Sequence, residues 1–342
     1  MGQRDVRLAP AAQPGGRRRE GKVVDDEDED VLRAAGLAFD KGFDFFYSGQ
    51  SDKALAAFHE AYGIYQRAGV NEGQTDCLLY IAIVFSYEGR YEDVVVTYRK
   101  ALRLAPQASR WRRRLTWLSN MGRALERLAR YEEALDSYRE ALQVHREFGR
   151  NECLQITWLN DAGHVLQRVG RHDEALESYR EALEICRRTD CAGRQKADCL
   201  ESIGLSLSEL GRYEEALAFC REALDIYRKL PNVDQDRGDC LLRVGNVLYW
   251  DGRFEGARES YCQALEVCRR LKGAERRQAD CLVSIGKAQV MLDRYAEALA
   301  SWEEALEFYR RVGGGQEDQS DCLEEAVREL RDAMGSHEED AQ

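Results

Sequence analysis

One string recurs along this chain at an almost fixed interval. Gly-Arg-Tyr-Glu-Asp-Val begins at Gly89, and related strings begin at Ala129, Gly170, Gly211, Gly252 and Asp293. A degenerate copy, Gly-Gln-Ser-Asp-Lys-Ala, begins at Gly49, so the starts are spaced by 40 or 41 residues. A period of this length is one supersecondary unit. Such a unit cannot bury its apolar face alone and must stack on its neighbours. Seven copies in register therefore define a repeat array before any element is assigned.

Inside each unit the apolar residues follow a helical period. In the fifth, Cys199, Leu200, Ile203, Gly204, Leu207 and Leu210 recur at three- and four-residue steps. After Gly211-Arg212, Tyr213, Ala216, Leu217, Cys220, Ala223, Leu224 and Tyr227 do the same. Two amphipathic helices, A and B, joined by a short turn make an antiparallel hairpin. The turn glycine suits a helix C-cap with positive φ. A second glycine stands seven residues earlier, at Gly42, Gly122, Gly163, Gly204, Gly245 and Gly286, with Ala82 in the second unit. Glycine inside a helix costs about 1 kcal/mol against alanine. Its recurrence implies that the partner helix crosses too close for a side chain, and Ala134, Ala175, Ala216 and Ala257 fit the same crossing.

These residues resemble the tetratricopeptide family, whose pattern reads here as Ile203-Gly204, Gly211, Tyr213, Ala216, Cys220 and Ala223, and as Ala162-Gly163, Gly170, His172, Ala175, Tyr179 and Ala182. The resemblance covers roughly residues 34 to 312. It implies an all-α fold: a right-handed α-solenoid of seven helical hairpins with a C-terminal capping helix. The usual unit has about 34 residues and a proline after helix B, which only the second unit keeps, as Pro106. The extra residues come to nearly two helical turns at about 3.6 residues each, one for each helix. Longer repeats of this kind are similar to those of kinesin light chains and of adaptors that bind Gα. The inter-repeat loops match neither, so the resemblance stops at the superfamily.

The expected boundaries are a charged, disordered tail over 1–30, the seven-repeat array over 31–312, a capping helix over 319–334 and a polar tail over 335–342. The tail holds Arg17-Arg18-Arg19 and the acidic run Asp25 to Asp30. Charge blocks without apolar periodicity favour disorder. The start of the chain lacks an apolar stretch behind its arginines, and Val6 stands where a myristoylation signal wants Ser or Thr. No apolar run reaches the roughly 20 residues that span a bilayer. The expectation is a soluble, cytoplasmic protein.

Five of the 11 cysteines share one register, in Asp-Cys-Leu triplets at Cys77, Cys199, Cys240, Cys281 and Cys322, and Trp117 and Trp158 take that place elsewhere. A position that accepts Cys or Trp reads as packing. Equivalent residues on stacked hairpins should lie roughly 10 Å apart, too far for a disulfide, which needs Cα atoms within about 7 Å. No Cys-x2-Cys spacing suggests zinc, so neither metal nor cofactor is expected. The aspartate before each cysteine reads as a first-turn residue favoured by the helix dipole.

No phosphate-binding glycine loop or nucleophile elbow is present, and catalysis is not expected. The function the resemblance implies is a scaffold or adaptor that binds a peptide or protein segment along the inner face, lined by helix A. Counting from the helix A glycine, that face comprises Tyr80, Ile83 and Tyr87 in the second unit. Further along come Arg123, Arg127, Asn160, His164 and Arg168, then Asn246, Tyr249, Trp250, Lys287 and Met291. Aromatics, Met and Arg are the types enriched in binding hot spots. The family's carboxylate clamp does not fit, because Asp161 and Asp198 would repel an anion. Alternatives are an RNA-binding array and a self-assembling rod. The net charge of -12 and the inward Glu126, Asp161, Glu201 and Glu209 oppose the first. The Arg110–Arg114 cluster reads as a solvated helix start, though it offers a place for an acidic group.

Overall fold

A computed structural model of the chain describes residues 26–104, 111–149, 151–189, 193–312 and 317–340; Arg17-Arg18-Arg19, Pro106, Arg110 and Cys191 lie outside them. Every regular element among the described residues is an α-helix. The chain divides into two compact units, residues 1–105 and 106–342.

The first unit contains α1 (Asp26–Tyr47), α2 (Ser51–Arg67), α3 (Asn71–Tyr87) and α4 (Tyr91–Leu104). α1 pairs with α2 and α3 with α4, and α2 packs on α3. The second unit contains α5 (Trp111–Arg127), α6 (Tyr131–Phe148), α7 (Cys153–Arg168), α8 (His172–Arg188), α9 (Gly193–Glu209) and α10 (Tyr213–Tyr227). It continues with α11 (Asp234–Trp250), α12 (Phe254–Arg269), α13 (Glu275–Val290), α14 (Tyr295–Val312) and α15 (Glu317–Asp340). Successive helices pair as hairpins, each helix B packs on the next helix A, and α15 covers α14.

Both ends of the array differ from the expected boundaries. The acidic residues Asp26–Asp30 belong to α1 rather than to the tail, and α15 continues to Asp340.

The recurring string now has a physical account. At the fourth unit's turn Gly170 takes φ +77°. Its N–H donates to Gln167 O and the Arg171 N–H to Leu166 O, at 3.0 and 2.9 Å, closing carbonyls that the helix end would otherwise leave open. Arg171 then reaches forward with Nε and Nη2, each 2.6 Å from a carboxylate oxygen of Glu174. The same fork joins Arg130 to Glu133 and Arg212 to Glu215, and a single Arg90 Nε bond of 2.8 Å reaches Asp93. Gly-Arg-aromatic-acid-acid is thus a turn that caps one helix and starts the next. Ala129 and Asp293 adopt φ +56° and +59° where the other turns have glycine.

The helix A glycines are filled by a ring from helix B. A Cβ on Gly163 would lie 2.5 Å from Cε1 of Tyr179, and Gly122 and Gly245 stand in the same relation to Tyr138 and Tyr261. Phe58, Cys220 and Trp302 take the ring's place at Gly42, Gly204 and Gly286.

Cys77, Cys199, Cys240 and Cys281 are buried and free, in keeping with packing, while Cys322 on the last helix is exposed. Two expectations are corrected. Cys153 is disulfide-bonded; it is the first residue of α7 and stands off the ladder whose spacing forbids bridging. The aspartates are not in first turns either. Asp198 and Asp280 lie in the second turns of α9 and α13. They accept the hydroxyls of Tyr227 and Tyr309 at 2.6 and 2.8 Å, which ties each helix to the helix B that follows it in the same repeat.

Candidate interaction surface

In the second unit, α7 touches α9 and α9 touches α11, so the A helices adjoin one another. Polar bonds run between their facing side chains. Arg123 on α5 meets Asp161 on α7 at 3.2 Å. Gln167 on α7 donates to Ser206 on α9 at 2.7 Å, and Arg243 on α11 is ion-paired with Glu201 on α9.

The tyrosines that fill Gly122, Gly163 and Gly245 also feed this face. Tyr179 donates to Gln167 Oε1 at 2.8 Å and lies 3.0 Å from His164 Nδ1. Tyr261 donates to Asn246 Oδ1 at 2.8 Å, and Tyr138 donates to Glu126. Burial raises the pKa of Glu126 and of Glu201; the hydrogen bond from Tyr138 opposes the first, and Arg243 opposes the second. Three carboxylates on this face are therefore engaged by neighbouring side chains, Asp161 by Arg123, Glu126 by Tyr138, and Glu201 by Arg243 and Tyr227, while Glu209 is exposed.

The residues read from the sequence as lining are solvent-accessible in this unit. Arg123, Arg127, His164, Arg168, Asn246, Trp250, Lys287 and Met291 are exposed; Asn160 and Tyr249 are half-buried. Trp250 and Met291 stand out as large apolar side chains at 66% and 48% exposure. Trp250 sits edge-on to Tyr249 at 5.6 Å, and Tyr249 sits edge-on to Phe254 at 5.4 Å. Phe254 was missed by the sequence reading. It occupies the turn aromatic position of its repeat, and from there it props the Tyr249 ring.

The first unit is different. Phe39, Phe43 and Phe58 form one ring cluster with Tyr80, the Phe43–Tyr80 centroids being 4.4 Å apart. Phe46 packs on Tyr87 at 5.4 Å. Ile83, expected on the open face, is buried at 7% exposure. It lies one turn from both Tyr80 and Tyr87 on α3, whose rings meet the aromatics of α1. Tyr80 is half-buried in the cluster, which leaves Tyr87, 65% exposed, as the accessible member of the three.

Among the described residues no group of three or more His, Cys, Asp and Glu could hold a metal. No described helix is long and apolar enough to cross a membrane.

Models of the tetratricopeptide repeat match residues 114–147, 153–229 and 239–311, together just over half of the chain. The chain belongs to the tetratricopeptide repeat family. Solved structures agree on the tetratricopeptide fold. A tetratricopeptide repeat protein from Parabacteroides merdae superposes with a TM-score of 0.58 at 14% identity, over 86% of this chain and 99% of its own. The apo form of the quorum sensor NprR from B. thuringiensis gives 0.58 at 16%, over 90% of this chain and 82% of its own. A Rap protein complexed with Competence and Sporulation Factor gives 0.53 at 16%, over 82% and 76%. At these identities the likeness concerns the tetratricopeptide fold alone. No curated protein is a significant sequence match.

Proposed function

We propose that this chain is a cytoplasmic, non-enzymatic interaction scaffold. It binds a peptide or partner segment along the A helices of its second unit, with Trp250 and Met291 as the apolar anchor. The observation that carries this reading is the exposure of those two side chains at the C-terminal ends of successive A helices, Trp250 closing α11 and Met291 capping α13, at the same position of successive repeats. Water is a poor neighbour for both, and a partner that covers them recovers roughly 25 cal/mol per Å² of apolar surface. Beside them Asp161, Glu126 and Glu201 are held by Arg123, Arg243 and tyrosine hydroxyls, while Arg127, Arg168 and Lys287 are exposed against the exposed Glu209. That balance favours a segment carrying a carboxylate besides its apolar residue. Arg168 and Trp250 are two repeats apart, roughly 20 Å at the spacing of packed helices, which an extended segment spans in about six residues. The Rap protein, complexed with Competence and Sporulation Factor, is an example of this fold holding a ligand.

The test starts from a random twelve-residue display library selected on the full chain. With benzoylphenylalanine placed at position 250, ultraviolet light should cross-link the selected peptide. The same group at Arg221, exposed on α10, should not. Equal cross-linking from both positions would refute this placement.

A further inference from the structure

In the second unit one exposed residue per repeat marks the C-terminal end of helix A. Arg127, Arg168, Glu209 and Trp250 are the last residues of α5, α7, α9 and α11, and Met291 is the C-cap of α13. Each stands five residues after its helix A glycine, so the period that builds the fold also spaces this column. All five are exposed. Along the chain the column runs cation, cation, anion, indole, thioether. Its charges differ from those beside it. Arg127, Arg168 and Glu209 have no ion-pair partner among the described residues; Arg168 lies over the Tyr131 ring at 5.3 Å. Three residues further on, Arg130, Arg171 and Arg212 are each paired with a carboxylate, at 2.6, 2.6 and 2.7 Å. A helix C-terminus favours cations and disfavours an anion, so Glu209 stands against the local preference of α9. Trp250 and Met291 likewise stand against the polarity of an exposed helix end. Residues that break a local rule without a structural gain mark functional positions.

We infer that this column reads one partner residue per repeat, and that the partner is an extended peptide with a fixed order of charge. The inference rests on the interaction reading above and names its ligand. The peptide carries acidic residues opposite Arg127 and Arg168, a basic residue opposite Glu209, and apolar residues opposite Trp250 and Met291. Packed helices advance by about 10 Å from one to the next. A polyproline II segment rises about 3.1 Å per residue and returns a side chain to the same face every three residues, about 9 Å on. Every third ligand residue therefore meets the next position of the column, and about thirteen residues span all five. Charge also fixes the register. A slip by one repeat sets an acidic residue against Glu209 or the basic residue against Arg168, and like charges brought together oppose binding.

The experiment uses the full chain and fluorescent peptides of about thirteen residues read by anisotropy. Two carry the order acid, acid, base, apolar, apolar at every third position, one in each chain direction, with serine and proline between. A third has the same composition with its charges ordered base, acid, acid. One of the two ordered peptides should bind at least about tenfold more tightly than the third, and less tightly as salt is raised. Glu209→Lys should weaken the ordered peptide at least about tenfold, and a peptide with aspartate in place of its base should recover the loss. Equal binding of ordered and reordered peptides overturns the inference, as does an unchanged affinity in Glu209→Lys. Binding by neither ordered peptide overturns it too; cross-linking of a library-selected peptide at position 250 would then leave the interaction reading standing, and its failure would remove both. Should Glu209→Lys melt early, the parent chain's choice between ordered and reordered peptides decides alone.

Discussion

Tyr179 lies over Gly163: a Cβ at Gly163 would come within 2.5 Å of the ring, whose hydroxyl emerges beyond it to meet His164 and Gln167. One glycine thus lets a helix B side chain both fill the crossing and order polar groups on the helix A face. Gly163→Ala gains about 1 kcal/mol of helix propensity but must displace a fully buried ring. Overpacking of that kind typically costs about 1–3 kcal/mol, so a net loss of up to about 2 kcal/mol is expected by urea denaturation. Tyr179→Phe keeps the ring and should cost about 1 kcal/mol for the lost hydrogen bonds.

The turns offer a stabilising change. Ala129 holds φ +56° where equivalent turns use glycine, and the left-handed region costs an L-residue roughly 1–2 kcal/mol. Ala129→Gly should raise stability by about 1 kcal/mol after the extra backbone entropy of glycine is counted. Asp293→Gly should gain less, because Asp293 also accepts the Tyr295 hydroxyl at 2.7 Å. Thermal melts of the two variants side by side check the order.

His145 makes stability sensitive to mild acid. It is 1% exposed, between the rings of Trp111 and Trp158. Burial lowers its pKa, against a smaller upward pull from the Asn151 backbone and Glu152. The folded state disfavours the charged ring, so its contribution is fully present above the unfolded pKa of about 6.5. That contribution is lost as pH falls from there to the depressed folded value. His145→Gln should flatten this part of the pH–stability curve relative to the parent chain.

The Glu201–Arg243 pair is coupled to Tyr227, which lies 3.1 Å from Glu201 Oε2. Glu201 is 13% exposed at its side chain and Arg243 39%. Arg243→Met leaves a nearly buried carboxylate without its cation and should cost about 1–3 kcal/mol, below the range for a fully buried pair because Arg243 reaches solvent. Glu201→Gln in the same chain should restore most of the loss in a double-mutant cycle.

The hairpins were legible in the sequence because stacking imposes one period on every copy. The turn glycines, the crossing glycines and the alanines opposite them all repeat. What could not be read depends on contacts between helices. Nothing in Asp198-Cys199-Leu200 says that the aspartate will accept a hydroxyl from Tyr227, which belongs to the same repeat's helix B. Ile83 shares the register of Arg123 and His164, yet it is buried, on a helix whose rings meet the aromatics of α1. The exposure of Trp250 and Met291 was readable, since their register alone places them beyond the core stripe of helix A. The support of Tyr249 by Phe254 was not, because a turn aromatic looks the same in every copy whether or not it meets a neighbour. Cys153 lay outside the repeating register on which the cysteine reading rested.

The most direct measurement is the affinity, by isothermal titration calorimetry, of a library-selected peptide for the parent chain and for Trp250→Ala/Met291→Ala. Both side chains are largely exposed, so the double variant should melt within about 1 kcal/mol of the parent. The account predicts that its affinity falls at least about tenfold, equivalent to about 1.4 kcal/mol. Unchanged affinity in a normally folded variant would contradict it.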